Sequence, residues 1–351
     1  MEVLVPELVA EAENRYRVLA EISLTGPIGR RALAEAMNLS ERTVRGQVAQ
    51  LEAMELVDVS PGGIAITSRG EDVLADAAEL FRTRHSTGFY ERTLTARLHL
   101  PAVTVVRGDS RNHRPTQARL AQAGALLVAK RLRAKDVVAV SGGTTLALLA
   151  EAMPDMQVAI TAVPARGGFG ERLETQANAV AAQMARKTGG EYRMLHVPDG
   201  FSTAVIELLR KEDASLHEVE SLIARANMLV IGVGEALRMA ELRQIPDADC
   251  QEIRREKAVG EALGYYADAT GRIVFHRPNV GVTMDMLPHI PHVIVVAGGS
   301  HKATAILAMV RAGIRGHLVT DEGAAEKLTA LLSQDRAEQD EEEKHGNKSR
   351  N

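Results

Sequence analysis

In the C-terminal two-thirds of the chain, apolar runs repeatedly end in small or polar residues suited to holding an anion. Val-Val-Ala-Val runs into Ser141-Gly142-Gly143-Thr144-Thr145, and Val-Ala-Ile-Thr-Ala-Val into Pro164-Ala165-Arg166-Gly167-Gly168. Met-Leu-Val-Ile-Gly-Val leads to Gly234-Glu235, and Val-Ile-Val-Val-Ala to Gly298-Gly299-Ser300-His301-Lys302. Glycines let backbone N–H groups approach a phosphate, and the start of a following helix favours negative charge. Thr144 and Thr145 add hydroxyl donors, while Arg166 and Lys302 add charge; arginine can grip two phosphate oxygens at once. A single Gly-Gly after a strand is as readily a tight turn. Several such loops on one sheet edge suit a ligand with more than one anionic group. Glu235 and Glu261 are carboxylates that could touch the ligand or serve as solvated or capping groups.

Other chemistries find little support. The glycines do not match the Gly-x-Gly-x-x-Gly dinucleotide fingerprint, and no Gly-x-x-x-x-Gly-Lys-Ser/Thr phosphate loop occurs. The 11 histidines are scattered, and His289 and His292 lie beside prolines in an expected loop. One cysteine, Cys250, excludes an intrachain disulfide and a cysteine-rich metal site. No catalytic residue, metal or cofactor is expected.

A second set of residues, near the N-terminus, suits DNA. Ser40 is a good N-cap, because its hydroxyl can accept from a free N–H of the first helical turn. Val44, Val48 and Leu51 follow at helical spacing and should face a core. The opposite face then carries Arg42, Gly46 and Ala49, flanked by Thr43, Arg45 and Gln50. Small residues let a helix sit deep in a major groove, where arginine can bond a guanine edge. Arg30, Arg31 and Arg69 could reach phosphates, which position a protein without specifying sequence. A small helical domain with solvated arginines, or a protein-binding winged helix, is the alternative.

These residues need particular elements to position them. Residues 8–23 have helical periodicity, with Leu8, Ala12, Leu19 and Ile22 as core contacts. Helices over 29–37 and 40–54 follow, then β-prone runs at 56–60 and 64–67 around Pro61-Gly62-Gly63. That order predicts a winged helix-turn-helix over 1–85, with a helix from 68 continuing as a linker over 86–100 unless Gly88 breaks it. Residues 101–333 alternate short Val/Ile runs with helical segments, the pattern of a mostly parallel α/β sheet buried on both faces. Strands are expected at 104–106, 137–140, 158–163, 192–197, 228–233, 293–298 and 317–320, with a hairpin over 264–275 turning at Thr270-Gly271. In such a sheet the strand C-termini share the edge where ligands bind. Residues 334–351 are highly charged and nearly free of apolar side chains, which predicts a disordered tail.

The formal charge is −4, so DNA binding would need local rather than overall positive charge. The first residues lack the basic-then-apolar order of a signal peptide. No apolar run approaches the roughly 20 residues that span a bilayer. A cytoplasmic protein without membrane contact is expected.

The stretches GPIGRRAL, SERTVRG, SGGTT, VPARGG, TQAN, GEALGYY, AGGSHKA and LVTDEGAA, with their spacing, resemble the SorC/DeoR-type sugar-responsive transcriptional regulators, and within them the branch that governs central glycolytic genes. The resemblance runs from about Tyr16 to Leu332. It implies a sugar-phosphate isomerase-like, Rossmann-type fold and a repressor whose operator binding responds to fructose 1,6-bisphosphate. It implies that Gly142, Gly143, Thr144 and Thr145 hold one phosphate, with Arg166, Gln176, Arg243, Glu261 and Lys302 completing the pocket. Leu242 and His301 depart from the family pattern. A homodimer or homotetramer on repeated operator sites is expected. The related fold also hosts isomerases and deaminases, so an enzyme with a DNA-binding appendage is the rival. Deaminases of that type carry Asp-Gly-His after the turn that here reads Gly232-Val233-Gly234-Glu235-Ala236-Leu237.

Overall fold

The computed structural model describes residues 6–37, 39–85, 87–168, 173–198 and 200–348. It divides into one unit ending at Phe89 and a second beginning at Tyr90.

The first unit contains α1 (Pro6–Thr25), α2 (Arg30–Met37), α3 (Glu41–Ala53), the antiparallel pair β1 (Val57–Ser60) and β2 (Gly63–Ile66), and α4 (Ser68–His85). Ser40 caps α3, its Oγ accepting from the Thr43 N–H at 3.1 Å. Val44, Val48 and Leu51 are buried with Leu33, Ile64, Leu19 and Ile22, as the helical spacing predicts. Val18 joins that core, whereas Ala12 is exposed. The side chain of Leu8 lies outside the described residues. Gln47 donates to Glu11 Oε1 at 3.1 Å, tying α3 to α1.

The second unit begins in α5 (Thr87–Leu98), followed by β3 (Ala102–Val106), α6 (Arg114–Arg131), β4 (Val137–Val140), α7 (Thr144–Ala152), β5 (Thr161–Pro164), α8 (Ala177–Thr188) and β6 (Glu191–Tyr192). Then come α9 (Thr203–Glu212), α10 (Ala214–Ala224), β7 (Met228–Ile231), β8 (Gly234–Glu235), α11 (Ala236–Leu242), α12 (Asp247–Arg255), β9 (Gly260–Ala262), β10 (Tyr265–Ala267) and β11 (Ile273–His276). The chain closes with β12 (His292–Val296), α13 (Ala303–Arg311), β13 (His317–Asp321) and α14 (Glu322–Lys348).

Seven strands form one sheet in the order β3-β13-β12-β7-β4-β5-β6, every pair parallel. Alternation decides its two cores. Val138 and Val140 of β4 pack with α6, α7 and α8, while Val137 and Ala139 join the core containing α10, α13 and α14. A separate antiparallel sheet has the order β11-β10-β9-β8. The chain winds outward through β4, β5 and β6, then returns to place β7 on the other side of β4. The β4/β7 junction is therefore the point where strand order reverses, the place where open α/β sheets bind their ligands.

Several expectations need correction. The helix expected over 86–100 is α5, and its Leu94 and Leu98 lie in the second unit's core. Gly88 sits inside α5 rather than ending a helix. The run 192–197 leaves the ladder after Tyr192. There the Asn178 side chain replaces a neighbouring strand, accepting from Leu195 N–H at 2.9 Å and donating to its carbonyl at 3.0 Å. The segment from 334, expected to be disordered, continues α14 as helix to Lys348; its Ala, Glu, Gln, Lys and Arg are good helix formers once α14 is nucleated on the core. His292 opens β12 rather than lying in a loop.

Candidate effector site and DNA-reading face

The C-terminal ends of β12, β7, β4 and β5 are adjacent, and their loops carry the anion-binding candidates. After β4, Ser141 N–H donates to the Val230 carbonyl at 3.0 Å and joins this loop to the end of β7. Gly142 lies against the start of α8: a Cβ there would stand 2.6 Å from the Thr175 carbonyl and 2.9 Å from Ala177 N. Gly143 adopts φ 124° and donates its N–H to the Thr175 carbonyl at 2.8 Å. That N–H is consumed within the protein. The donors left for an anion are those of the first turn of α7, which no side chain caps. Thr144 is exposed and Thr145 half-buried there. The close approach of 175–177 also brings Gln176, the residue preceding α8, beside this turn.

Arg166, at the end of β5, and Arg243, at the end of α11, converge on Glu261 of β9. Their guanidiniums lie 3.2 and 3.1 Å from Glu261 Oε1, and all three side chains are less than a tenth exposed. The Gly264 N–H donates to the same oxygen at 2.7 Å. Two arginines otherwise far apart in the chain are thus held together at one carboxylate oxygen. A cavity of about 20 Å³, room for about one water, is lined by Arg166, Arg243, Ile245, Gly264, Tyr266 and Arg277. Arg277 escaped the sequence reading, because only the antiparallel sheet brings it here.

Lys302 ends the loop after β12. Burial pushes its ammonium down from the ordinary range and Arg238 adds to that, while Glu235 and Asp321 pull back. His301 is lowered by burial and by Lys302, so it is uncharged near neutrality. Glu235 pairs with Gly260, and Gly234 with Glu261, in the β8–β9 ladder, so the loop after β7 is joined to the strand that carries Glu261. The structure brings Gly142, Gly143, Thr144, Thr145 and Gln176 into one group and Arg166, Arg243 and Glu261 into another, with Lys302 beside Glu235.

In the first unit, α3 presents Arg42, Thr43, Arg45, Gly46, Ala49 and Gln50 to solvent. A Cβ on Gly46 would meet nothing within 4 Å, so packing does not demand glycine there. Ser40 and Thr43 hydroxyls lie 2.7 Å apart and serve the cap. Arg30 is exposed at the start of α2. Arg31 pairs with Glu35 at 3.3 Å and Arg69 with Glu55 at 2.8 Å, in exposed bridges worth at most about 1 kcal/mol that DNA phosphates could displace.

Among the described residues, no helix is long and apolar enough to cross a membrane, and no cluster of His, Cys, Asp or Glu could hold a metal.

The family profile "Putative sugar-binding domain" matches residues 86–330, and the CggR N-terminal DNA binding domain matches 12–81. The chain is 41% identical over 328 residues to the central glycolytic genes regulator of Priestia megaterium, covering 93% of this chain and 96% of that one. It is 40% identical over 327 residues to the protein of that name from Bacillus subtilis, with the same coverage of 93% and 96%. The crystal structure of a SorC family transcriptional regulator from Enterococcus faecalis superposes with a TM-score of 0.64 at 35% identity, covering 68% of this chain and 98% of that chain.

Proposed function

Given that the chain belongs to the SorC-type sugar-binding transcriptional regulators, we propose that it represses central glycolytic genes and that fructose 1,6-bisphosphate tunes its hold on operator DNA. It is a DNA-binding regulator and not an enzyme, as its relatives are. The observation that carries the ligand assignment is the pair of cationic or donor-rich groups on one sheet edge. One is the uncapped start of α7 with Thr144 and Thr145, beside Gly142, Gly143 and Gln176. The other is Arg166 and Arg243 on Glu261, and Lys302 adds its charge beside Glu235. A sugar phosphorylated at both ends offers one anion to each of these groups, and the Glu261 carboxylate is an acceptor for sugar hydroxyls.

In the DNA-reading unit, Arg42, Arg45 and Gly46 enter the major groove, while Arg30, Arg31 and Arg69 contact phosphates and Ser40 with Thr43 holds the start of the helix. A homodimer or homotetramer places two such helices on repeated half-sites, whose spacing follows the assembly. The ligand must favour one arrangement of that assembly over another, or it could not change DNA affinity. A coupling of about 1–3 kcal/mol changes affinity roughly 5- to 150-fold, and operator DNA must weaken ligand binding by the same factor.

The chain contains no tryptophan, so calorimetry is the direct assay. Titration with fructose 1,6-bisphosphate, beside fructose 6-phosphate and inorganic phosphate, is expected to show saturable binding that prefers the bisphosphate and is lost in Thr145→Ala and Lys302→Ala. Equal binding of all three, or none, rejects the assignment of this effector.

A further inference from the structure

The loop bearing Lys302 is held from beneath by carboxylates that lie outside the ligand-facing set. Asp321, the last residue of β13, is fully buried. Its Oδ2 accepts the N–H of Gly299 at 2.6 Å and of Ser110 at 2.9 Å, and its Oδ1 accepts the Ala324 N–H at 2.9 Å. Asp109 Oδ1 accepts the N–H of Ser300 at 3.1 Å and of Arg111 at 2.9 Å. Glu322 completes the set by accepting the Gly108 N–H at 3.1 Å. The loops after β3 and β12 and the start of α14 are thereby stitched together.

The glycines of this loop serve the stitching. A Cβ on Gly298 would stand 2.5 Å from Asp321 Oδ2, so only glycine lets the carboxylate reach its place. Gly299 has φ 98°, which turns its N–H down onto Asp321. Since the Gly299 and Ser300 amides are spent on aspartates, they are not phosphate donors. What this loop offers a ligand is side chains, above all the ammonium of Lys302, and their placement depends on the two carboxylates.

We propose that Asp321 and Asp109 are positioning residues for sugar-phosphate recognition: they fix the Gly298–Lys302 loop so that Lys302 stands on the ligand edge. This role rests on the sugar-phosphate reading of that edge. It also accounts for the Asp in the LVTDEGAA stretch and for the Gly-Gly in AGGSHKA, which act as one device.

The test compares the intact protein with Asp109→Ala, Asp109→Asn and Asp321→Asn. Both backbone hydrogen bonds at Asp109 fall on a single oxygen, which an asparagine retains, and the Ser300 hydroxyl that also bonds Asp109 can donate to an amide oxygen or accept from an amide N–H. Asp321 uses both oxygens, and an amide N–H₂ at either would face a backbone N–H. Calorimetry with fructose 1,6-bisphosphate is expected to show about tenfold weaker binding in Asp109→Ala and Asp321→Asn, equal to about 1.4 kcal/mol. Asp109→Asn is expected within about twofold of wild type, about 0.4 kcal/mol. Amide exchange at Gly299 and Ser300, followed without ligand, should quicken in the two weakened proteins alone. Wild-type affinity in Asp109→Ala, or no rescue by Asp109→Asn, overturns the positioning role while the site stands. A wild-type protein that binds neither fructose phosphate nor inorganic phosphate overturns the sugar-phosphate reading, and the positioning role with it.

Discussion

His317 provides a quantitative test of the packing between β3, β13 and α6. The residue is 8% exposed. Arg131 lies 3.0 Å from Nδ1, and an arginine can only donate, so Nδ1 is the acceptor. The proton therefore sits on Nε2, which donates to the Thr104 hydroxyl at 2.8 Å. Burial, and then the Arg131 charge, push the imidazole from 6.5 down to about 4. A depressed histidine is neutral in the folded state, while the unfolded chain takes up a proton below about pH 6.5. Stability is therefore lost as pH falls from the unfolded value towards the folded one. Integrating between pH 7 and pH 5 gives a loss of about 2 kcal/mol from this one group. His317→Gln keeps an acceptor for Arg131 and a donor for Thr104 but cannot be protonated. Urea unfolding of both proteins at pH 7 and pH 5 isolates the contribution, because every other titrating group is common to the pair. The wild type should lose about 2 kcal/mol more than His317→Gln on acidification. An equal loss in both would refute the assignment of a neutral His317 held between Arg131 and Thr104.

Other consequences can be checked with single substitutions. Arg42→Ala should weaken operator binding by about 1–3 kcal/mol if it reads a base, with relaxed preference at one position; a mobility-shift series over operator variants showing unchanged affinity and preference would displace the groove face from α3. Ser40→Ala removes the bond to Thr43 N–H and should cost the first unit about 1 kcal/mol in thermal or urea unfolding. Gly142→Ala drives a Cβ into the Thr175 carbonyl, so fructose 1,6-bisphosphate should bind about tenfold more weakly while ligand-free operator binding is kept; unaltered calorimetric affinity would separate this loop from the ligand.

Legibility in the sequence followed the range of the interactions involved. The helix-turn-helix was readable because its signals are local: the Ser40 cap, the spacing of Val44, Val48 and Leu51, and the glycine turn of the wing lie within a few residues of one another. The buried strands β4 and β7 were readable because strands covered on both faces are continuously apolar, and here every residue of each is buried. Tyr192–Val197 looked like a strand on the same criterion. It is not one past Tyr192, because at the sheet edge Asn178, from another element, satisfies its backbone. The short strands β8 and β9 carry too few residues for any periodicity and exist only through their pairing.

The motifs pointed to candidate residues for the site, but not to how the fold arranges them. Sequence alone determined the residue types available to bind an anion, the N-capped and basic recognition helix, and the alternation of helix and buried strand. Tertiary structure decided which glycine amides remain donors, since the N–H groups of Gly143 and Gly299 are taken by Thr175 and Asp321. It alone joined Arg166, Arg243 and Glu261, brought Arg277 beside them, and set Asp321 under the Lys302 loop. The physical reason is common to these cases. A hydrogen-bond acceptor shared by distant segments leaves no trace in local spacing, because what selects it is a donor that the fold delivers from elsewhere in the chain.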